Sequence, residues 1–349
     1  KACPYDAISE VMRPCKRSCP TGALDVNPEN RRAMIKKEKC LNCGACMAAC
    51  PFGAISDKSF IVGVARALAN KENLYAIAAP AITGQFPSKI SYGKIKSAIK
   101  KLGFKDMIEA AFGADAVTMN EGNEFVERMN KEEIYMTNSC CPGFVSYIEK
   151  ICPSEQGKIS DTVSPMIATA RFIKAKDKNA KIVFIGPCTA KKGEALRKDV
   201  KGAVDYVITF EELIALLDAF DVEIENCEEE EVNDASIFGR GFGGSGGLTA
   251  AIENYIKESG IDIDFKPLKI SGADEVKKTM KLANIGKLGG NFIEGMMCEG
   301  GCINGAGTVV PYLKARGIFN KRNVKTKKKS ILSNKDLENY KNISLKRNI

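Results

Sequence analysis

Asn291 to Gly307 reads NFIEGMMCEGGCINGAG. An apolar run ends in Cys298, and Cys302 follows four residues later across Gly300 and Gly301. If a helix starts there, that spacing sets two thiolates one turn apart, facing one cluster. The glycines let the backbone come close without side-chain collision. Thiolates are soft ligands that select iron–sulfur clusters, zinc or copper(I). Two cannot close a site, so other segments must supply the rest.

The chain has 349 residues, 44% apolar and 27% charged, enough for two or three domains with at least one large core. No stretch of about 20 apolar residues is present, which argues against a membrane span. The N-terminus shows no signal-peptide pattern and opens abruptly on KACP, so it reads as cut from a longer cytoplasmic protein. Fourteen cysteines fall in clusters, the pattern of metal ligands in a reducing compartment rather than of a disulfide framework. There is no histidine. That excludes mixed Cys/His zinc sites, His-ligated haem, Rieske centres and every imidazole relay. Proton traffic is left to carboxylates, thiols, hydroxyls and water. The net charge of +9 is concentrated beyond Leu313, where 12 Lys and Arg face only Asp336 and Glu338. Such a tail can touch nucleic acid or an acidic partner. No aromatic residues interleave the charges as a single-strand binder needs, which favours a solvated terminal face over nucleic-acid binding.

Seven cysteines lie within residues 1–56: Cys3, Cys15, Cys19, Cys40, Cys43, Cys46 and Cys50. The run from Cys40 to Pro51 has the bacterial ferredoxin spacing, in which the fourth cysteine ligates the other cluster. PTGALDV after Cys19 echoes PFGAISD after Cys50, an internal two-fold repeat. One 4Fe–4S cluster is assigned to Cys19, Cys40, Cys43 and Cys46. A second takes Cys50, Cys15, Cys3 and a cysteine upstream of residue 1. A zinc ribbon, the plain alternative, does not need the third cysteine or the Cys-Pro.

From about Phe60 helical and strand patterns alternate. LYAIAAPAI reads as a buried strand stopped by Pro80, and IYMTN, KIVFIG, YVITF, FKPLKI and NFIEGMM read as further strands. SYGKIKSAIKKLG, the stretch through NEGNEFVERMN, FEELIALLDAF, GGLTAAIENYIKES and DEVKKTMKLA read as helices between them. Alternation predicts an α/β fold of mostly parallel sheet with helical cover. Cys140/Cys141, Cys188 and Cys298/Cys302 then each fall just past a strand's carboxyl end, where ligand sites in open α/β sheets gather. Cys140 and Cys141 are adjacent, so only one is expected to join a shared cluster; the other is a free thiol placed to move protons, or simply a small buried hydrophobe. GFGGSG at Gly241–Gly246 has the letters of a dinucleotide fingerprint but no convincing strand before it, and reads better as a close-packed loop. Cys152 and Cys227 read as unligated.

TNSCCPGF at Thr137–Phe144, GPCTAKKGE at Gly186–Glu194 and FIEGMMCEGGCINGAG at Phe292–Gly307 resemble, in order and spacing, the three active-site signatures of the FeFe hydrogenases. The resemblance covers nearly the whole chain. It implies a catalytic domain of two mostly parallel α/β lobes with the active site between them, behind a small ferredoxin-like domain. The segments are then 1–58, 59–312 and a basic helical or extended tail, 313–349. The implied cofactor is an H-cluster, a 4Fe–4S cubane joined to a diiron subsite that carries CO, cyanide and azadithiolate, with two accessory 4Fe–4S clusters. Carried over, Cys141, Cys188, Cys298 and Cys302 hold the cubane, Cys302 bridges to the diiron unit, and Cys140 exchanges protons with the bridging amine. Glu121, Glu124, Arg128 and Ser160 match the outward proton path. Positions 121, 124 and 128 also share one helix face, which in isolation reads as a salt-bridged surface. Lys191 matches the residue that hydrogen-bonds one cyanide, and Glu194 orients its loop. Ala79, Pro80 and Ala81 fall where the family contacts the other cyanide, without the family's serine. Met296 packs on the diiron unit, beside Gly186 and Pro187.

Four departures point to the family's divergent sensory branch: Gly186 for methionine, Met166 for glutamine, Phe144 for tryptophan, and GAGTV for GGGQP. They imply an anaerobic protein that interconverts H2 with protons and electrons at modest rate and detects H2. Its redox partner would be ferredoxin-like, with a signalling partner besides. The rival is a non-enzymatic iron–sulfur protein, for cluster assembly or redox signalling, without the diiron subsite. Cys140, Lys191 and the carboxylate pair speak against it.

Overall fold

The computed structural model describes residues 12–347, so Cys3 lies outside it. Near the N-terminus β1 (Leu24–Val26) and β2 (Ala33–Ile35) form an antiparallel hairpin. Two parallel sheets follow. One runs β4–β3–β6–β7, built from Asp106–Glu109, Leu74–Ala78, Lys181–Ile185 and Tyr206–Ile208. The other runs β5–β9–β8, from Met136–Thr137, Phe292–Met296 and Pro267–Ser271. Helices connect the strands of both, as parallel pairing requires.

The central strands are nearly continuous runs of apolar residues because both faces are covered. Leu74 and Ile77 on β3 are fully buried, each worth about 1.5–3 kcal/mol relative to exposure. β3 ends where Pro80 cannot donate to the ladder, and the chain turns through a 3₁₀ segment, Pro80–Gly84. After β7, Thr209 and Glu212 cap the Phe210–Ala219 helix reciprocally: Thr209 Oγ1 accepts from Glu212 N at 3.2 Å, and Glu212 accepts from Thr209 N at 2.6 Å. The same Glu212 takes Lys192 Nζ at 2.9 Å, and Lys192 reaches Asp57 at 2.7 Å. That chain of charges ties the cysteine-rich segment to the first parallel sheet.

Two expectations are corrected. No helix spans Cys298 to Cys302: Gly300 and Gly301 have φ of 76° and 99°, left-handed values that form a turn, with Gly301 N donating to Cys298 O at 3.1 Å. The basic tail is also more than a solvated face. Its Tyr312–Asn323 helix packs on the Pro80–Gly84 turn. Ile331, Leu337 and Tyr340 are buried, and Tyr340 stacks 5.3 Å from Phe172. Its charge lies on the outer side of an apolar seam that the count of lysines conceals. No helix among the described residues is long and apolar enough to cross a membrane.

Candidate metal centre

The two parallel sheets present the carboxyl ends of β5, β6 and β9 to one region, and each end delivers cysteine. β5 leads into Cys140 and Cys141, then the Pro142–Ile151 helix, whose first residue is a proline that needs no partner for its missing N–H. β6 leads into Gly186, Pro187 and Cys188, and β9 into Cys298. Cys188, Cys298 and Cys302 are each partly buried. Burial pushes the Cys188 and Cys302 thiols up to about 12; Cys141 pushes both the same way, and Cys188 adds to the rise at Cys302. Cys298 is raised by burial, then by Cys188, Cys302 and Cys141. The four sulfurs therefore lie within one another's electrostatic reach. Four soft donors brought together suit an iron–sulfur cubane, whose binding strips the thiol protons. No three ligating side chains among the described residues gather at a single point, and a cubane, whose four irons stand apart, does not require it.

Cys140 and Cys141 diverge as adjacency demands. Cys140 packs on the large core and Cys141 on a smaller one with Phe144 and Ile148. Asn138 Nδ2 donates to Cys140 Sγ at 3.0 Å, and its Oδ1 accepts from Gly295 N at 2.8 Å, joining this loop to β9. Behind the thiol lies Glu121, fully buried on the Ala110–Asn130 helix. Burial lifts its carboxyl to about 8, and the Glu124 charge adds to that; the Ser139 N–H, Ser160 and Arg347 oppose it. Ser139 N donates to Oε1 at 3.3 Å, while Oε2 is buried without a partner.

Farther out, Ser160 Oγ and Thr162 Oγ1 donate to Glu124 Oε2 at 2.6 and 3.0 Å, and Arg128 meets Glu124 Oε1 at 2.7 Å. Arg128 also donates to the carbonyls of Gly157 and Ile159 at 2.9 and 3.0 Å, so it is held in place rather than solvated. Thiol, buried carboxyl, hydroxyl, carboxylate and guanidinium thus run from the pocket toward the surface. The thiol, the carboxyls and the hydroxyl can pass a proton in this order, and the Arg128 guanidinium, which keeps its charge, holds Glu124 at the outer end.

Lys191 Nζ donates to Glu194 Oε2 at 2.6 Å and to Cys140 O at 3.2 Å. Burial pulls its ammonium down, but Glu194, Cys188 and Cys140 more than reverse this, so a cation is kept beside the cysteines. Ala79 and Gly186 come together where β3 and β6 end, with Ala79 N donating to Ile185 O at 2.9 Å. Pro187 O accepts from Gly307 N at 2.8 Å, and Ala81 and Met296 are both buried. The space opened by Gly186 is not free. A Cβ there would stand 2.6 Å from the Phe184 ring and 3.0 Å from Ala79, so the Phe184 ring fills it. Phe144 likewise lies flat over Gly295, whose absent Cβ would stand 2.4 Å from the ring.

In the N-terminal segment Cys19, Cys40, Cys43 and Cys46 line one cavity of about 320 Å³. Burial raises Cys43 to about 11, with Cys46, Cys19 and Cys40 contributing. These four fit a second cubane. Cys50 is held below its usual range by the N–H groups of Phe52 and Ala54, as a thiolate ligand is; Cys15 is buried. Cys43 is also felt by Cys298, so the two cysteine groups adjoin.

One contributor escaped the sequence reading. Glu294 on β9 is buried and accepts from Gly246 N and Thr249 N, both at 2.8 Å, and from Thr249 Oγ1 at 2.5 Å. It caps the Gly247–Glu258 helix and fixes the glycine loop, whose Ser245 N donates to Gly300 O at 3.1 Å. A lone acid inside FIEGMM was the available clue. The Gly241–Gly246 loop is packed against the Cys298–Cys302 turn, in agreement with the close-packed reading.

A family model described as iron only hydrogenase large subunit, C-terminal domain, matches residues 72–306. The chain belongs to the iron-only hydrogenase family. A second model, the LdpA Fe-S cluster-binding domain, matches residues 3–61. Among relatives of this hydrogenase-family chain, Iron hydrogenase 1 of Clostridium pasteurianum is 31% identical over 337 residues, 82% of this chain and 58% of that protein. The cytosolic Fe-S cluster assembly factor narfl of Xenopus tropicalis is 26% identical over 275 residues, 62% of this chain and 56% of its own length. The chain spans little more than half the length of these relatives. An apo FeFe-hydrogenase HydA1 variant from Chlamydomonas reinhardtii shares the fold, with a TM-score of 0.70 at 20% identity over 81% of this chain and 94% of its own. Iron–sulfur binding and the two-lobed α/β fold therefore stand as family properties.

Proposed function

We propose that the protein interconverts H2 with two protons and two electrons at a cubane-plus-diiron cluster, at a modest rate suited to sensing H2. When bound, that cluster supplies the redox chemistry of H2 itself. The chain's residues hold it, exclude water and move the proton. Cys141, Cys188, Cys298 and Cys302 would hold the cubane, with Lys191 and the Ala79–Ala81 backbone facing the anionic ligands of the diiron unit. For a proton at the pocket, Cys140 would be the first acceptor, then the bare Oε2 of Glu121, then Ser160 and Glu124, with Arg128 holding Glu124 at the outer end. Cys19, Cys40, Cys43 and Cys46 would hold one accessory 4Fe–4S cluster, and Cys50, Cys15 and Cys3 a second; such clusters would supply the one-electron steps toward a ferredoxin-like acceptor.

The observation that supports this reading most is the Cys140 thiol, packed on a different core from Cys141 and backed by a buried carboxyl with one orphaned oxygen. A cluster that only sits in an assembly factor needs neither. The sensory reading draws on the site's filled volumes: Phe184 against Gly186, Phe144 against Gly295, and Met166 wholly buried. In protein supplied with the diiron unit, infrared bands of CO and cyanide are expected. Cys140→Ala should keep those bands and lower H2 turnover at least about a hundredfold. Absent bands would favour the assembly-type alternative, and near-normal turnover would remove the proton role.

A further inference from the structure

The basic tail, read from sequence as a partner-binding or solvated segment, comes back onto the loop that carries Ser160. Val163 N donates to Leu345 O at 2.7 Å, and Arg347 N to Asp161 O at 2.9 Å. These bonds frame an antiparallel bridge between Thr162 and Lys346. From the other side Arg171 Nη1 donates to the carbonyls of Ser344 and Lys346 at 2.6 and 2.8 Å. The strap thus has a fixed register, and it delivers one side chain inward. Arg347 Nη2 donates to Ser139 O at 3.0 Å. Ser139 is the residue whose N–H meets Glu121 and whose neighbour is Cys140.

We propose that Arg347 is a positioning residue for the proton relay: strapped over the Ser139–Cys140 backbone, its fixed charge sets the protonation balance of buried Glu121. This rests on the reading of Glu121 as a relay group. Around Glu121, burial and Glu124 oppose its ionised form, and the Ser139 N–H, Ser160 and Arg347 favour it; the Cys140 thiol, itself pushed up, is neutral where Glu121 titrates. Arg128 is spent on Glu124. The Gly247–Glu258 helix packs on this stretch through neutral Tyr255 against Gly122. Arg347 is therefore the one cation acting directly on Glu121 among these groups, and a guanidinium keeps its charge at every working pH. Its removal leaves the carboxyl holding a proton to higher pH. The tail then does for the relay what a histidine could not do in this chain.

The test reads the carboxyl directly, in protein carrying its iron–sulfur clusters without the diiron unit. The infrared band of the protonated Glu121 carboxyl, assigned by its loss in Glu121→Gln, is titrated in the parent chain, in Arg347→Gln and in Arg347→Lys. The midpoint should rise by about half a pH unit or more in Arg347→Gln and stay near the parent value in Arg347→Lys. In the fully loaded protein the pH profile of H2 oxidation should move in the alkaline direction by a similar amount. An unchanged midpoint in Arg347→Gln would overturn the proposal, and so would equal shifts in both variants, which would reveal lost packing rather than lost charge. A shifted midpoint in protein without H2 turnover would instead count against the hydrogenase reading and leave the role of Arg347 standing.

Discussion

Glu121 is the residue where burial and chemistry conflict most. A carboxyl raised from its ordinary 4.5 to about 8 is protonated in the folded chain and ionised in the unfolded chain across that interval. The folded state then binds more protons, so this group's contribution to stability is fully present below about 4.5 and is lost as pH rises to about 8. Glu121→Gln keeps the shape and cannot ionise. It should leave denaturant midpoints unchanged near pH 5 and raise stability near pH 8.5 by on the order of 2 kcal/mol. Equal effects at both pH values would mean that the residue matters for shape alone. The same conflict explains why Glu121 suits a relay: a group of pKa near 8 takes and gives a proton at almost equal cost near neutrality. Helical spacing placed Glu121, Glu124 and Arg128 on one face, but not which of them is buried. That depends on the Ser139 and Ser160 loops, which come from 18 and 36 residues away.

At the scale of elements, the site is held by strand ends and by the caps that tie them to helices. Glu294 shows how. Its carboxylate joins β9 to the start of the Gly247–Glu258 helix, and through the glycine loop it fixes Gly300 between the two cysteines. Glu294→Ala strands two N–H groups and a hydroxyl in a dry interior, at about 2–4 kcal/mol. The Cys298–Cys302 turn should loosen with it, read as a lower midpoint and partial loss of iron from the cubane. Retention of both would make the cap dispensable. The parallel-sheet class and most helices were legible because their apolar periods are long and clean, as in LYAIAAPAI and FEELIALLDAF. What escaped has a physical reason in each case. The Asp106–Glu109 strand is short and carries acids at both ends. The Pro165–Lys176 helix is buried on most sides and so shows little amphipathic pattern. At Cys298–Cys302 cysteine spacing alone cannot tell a helical turn from two left-handed glycines.

At the scale of the molecule, the question is how the N-terminal cysteine cavity is held against the cysteines between the two sheets. The seam is small and backbone-rich. Thr189 Oγ1 donates to Asn42 O at 2.7 Å, and Lys150 Nζ donates to Cys40 O at 2.6 Å. Gly44 lies with φ of 76° under Ala306, where a Cβ would come within 2.4 Å of the Ala306 methyl and 2.7 Å of Thr189 Oγ1. Only glycine allows both the backbone conformation and the approach. Cys43 precedes Gly44, and Cys298 feels Cys43, so the closeness of the two cysteine groups, and of any clusters they hold, depends on this contact. Gly44→Ala should cost about 1–2 kcal/mol from the left-handed backbone alone. The methyl must also push the Cys40–Cys46 loop away from Ala306. Both clusters should still assemble, because none of their eight cysteines is altered. The magnetic coupling between them, read by electron paramagnetic resonance in the reduced protein, should weaken, and electron delivery from an external donor should slow in step. Full coupling in Gly44→Ala would show that the Lys192–Glu212–Asp57 charges hold the two parts together without this contact.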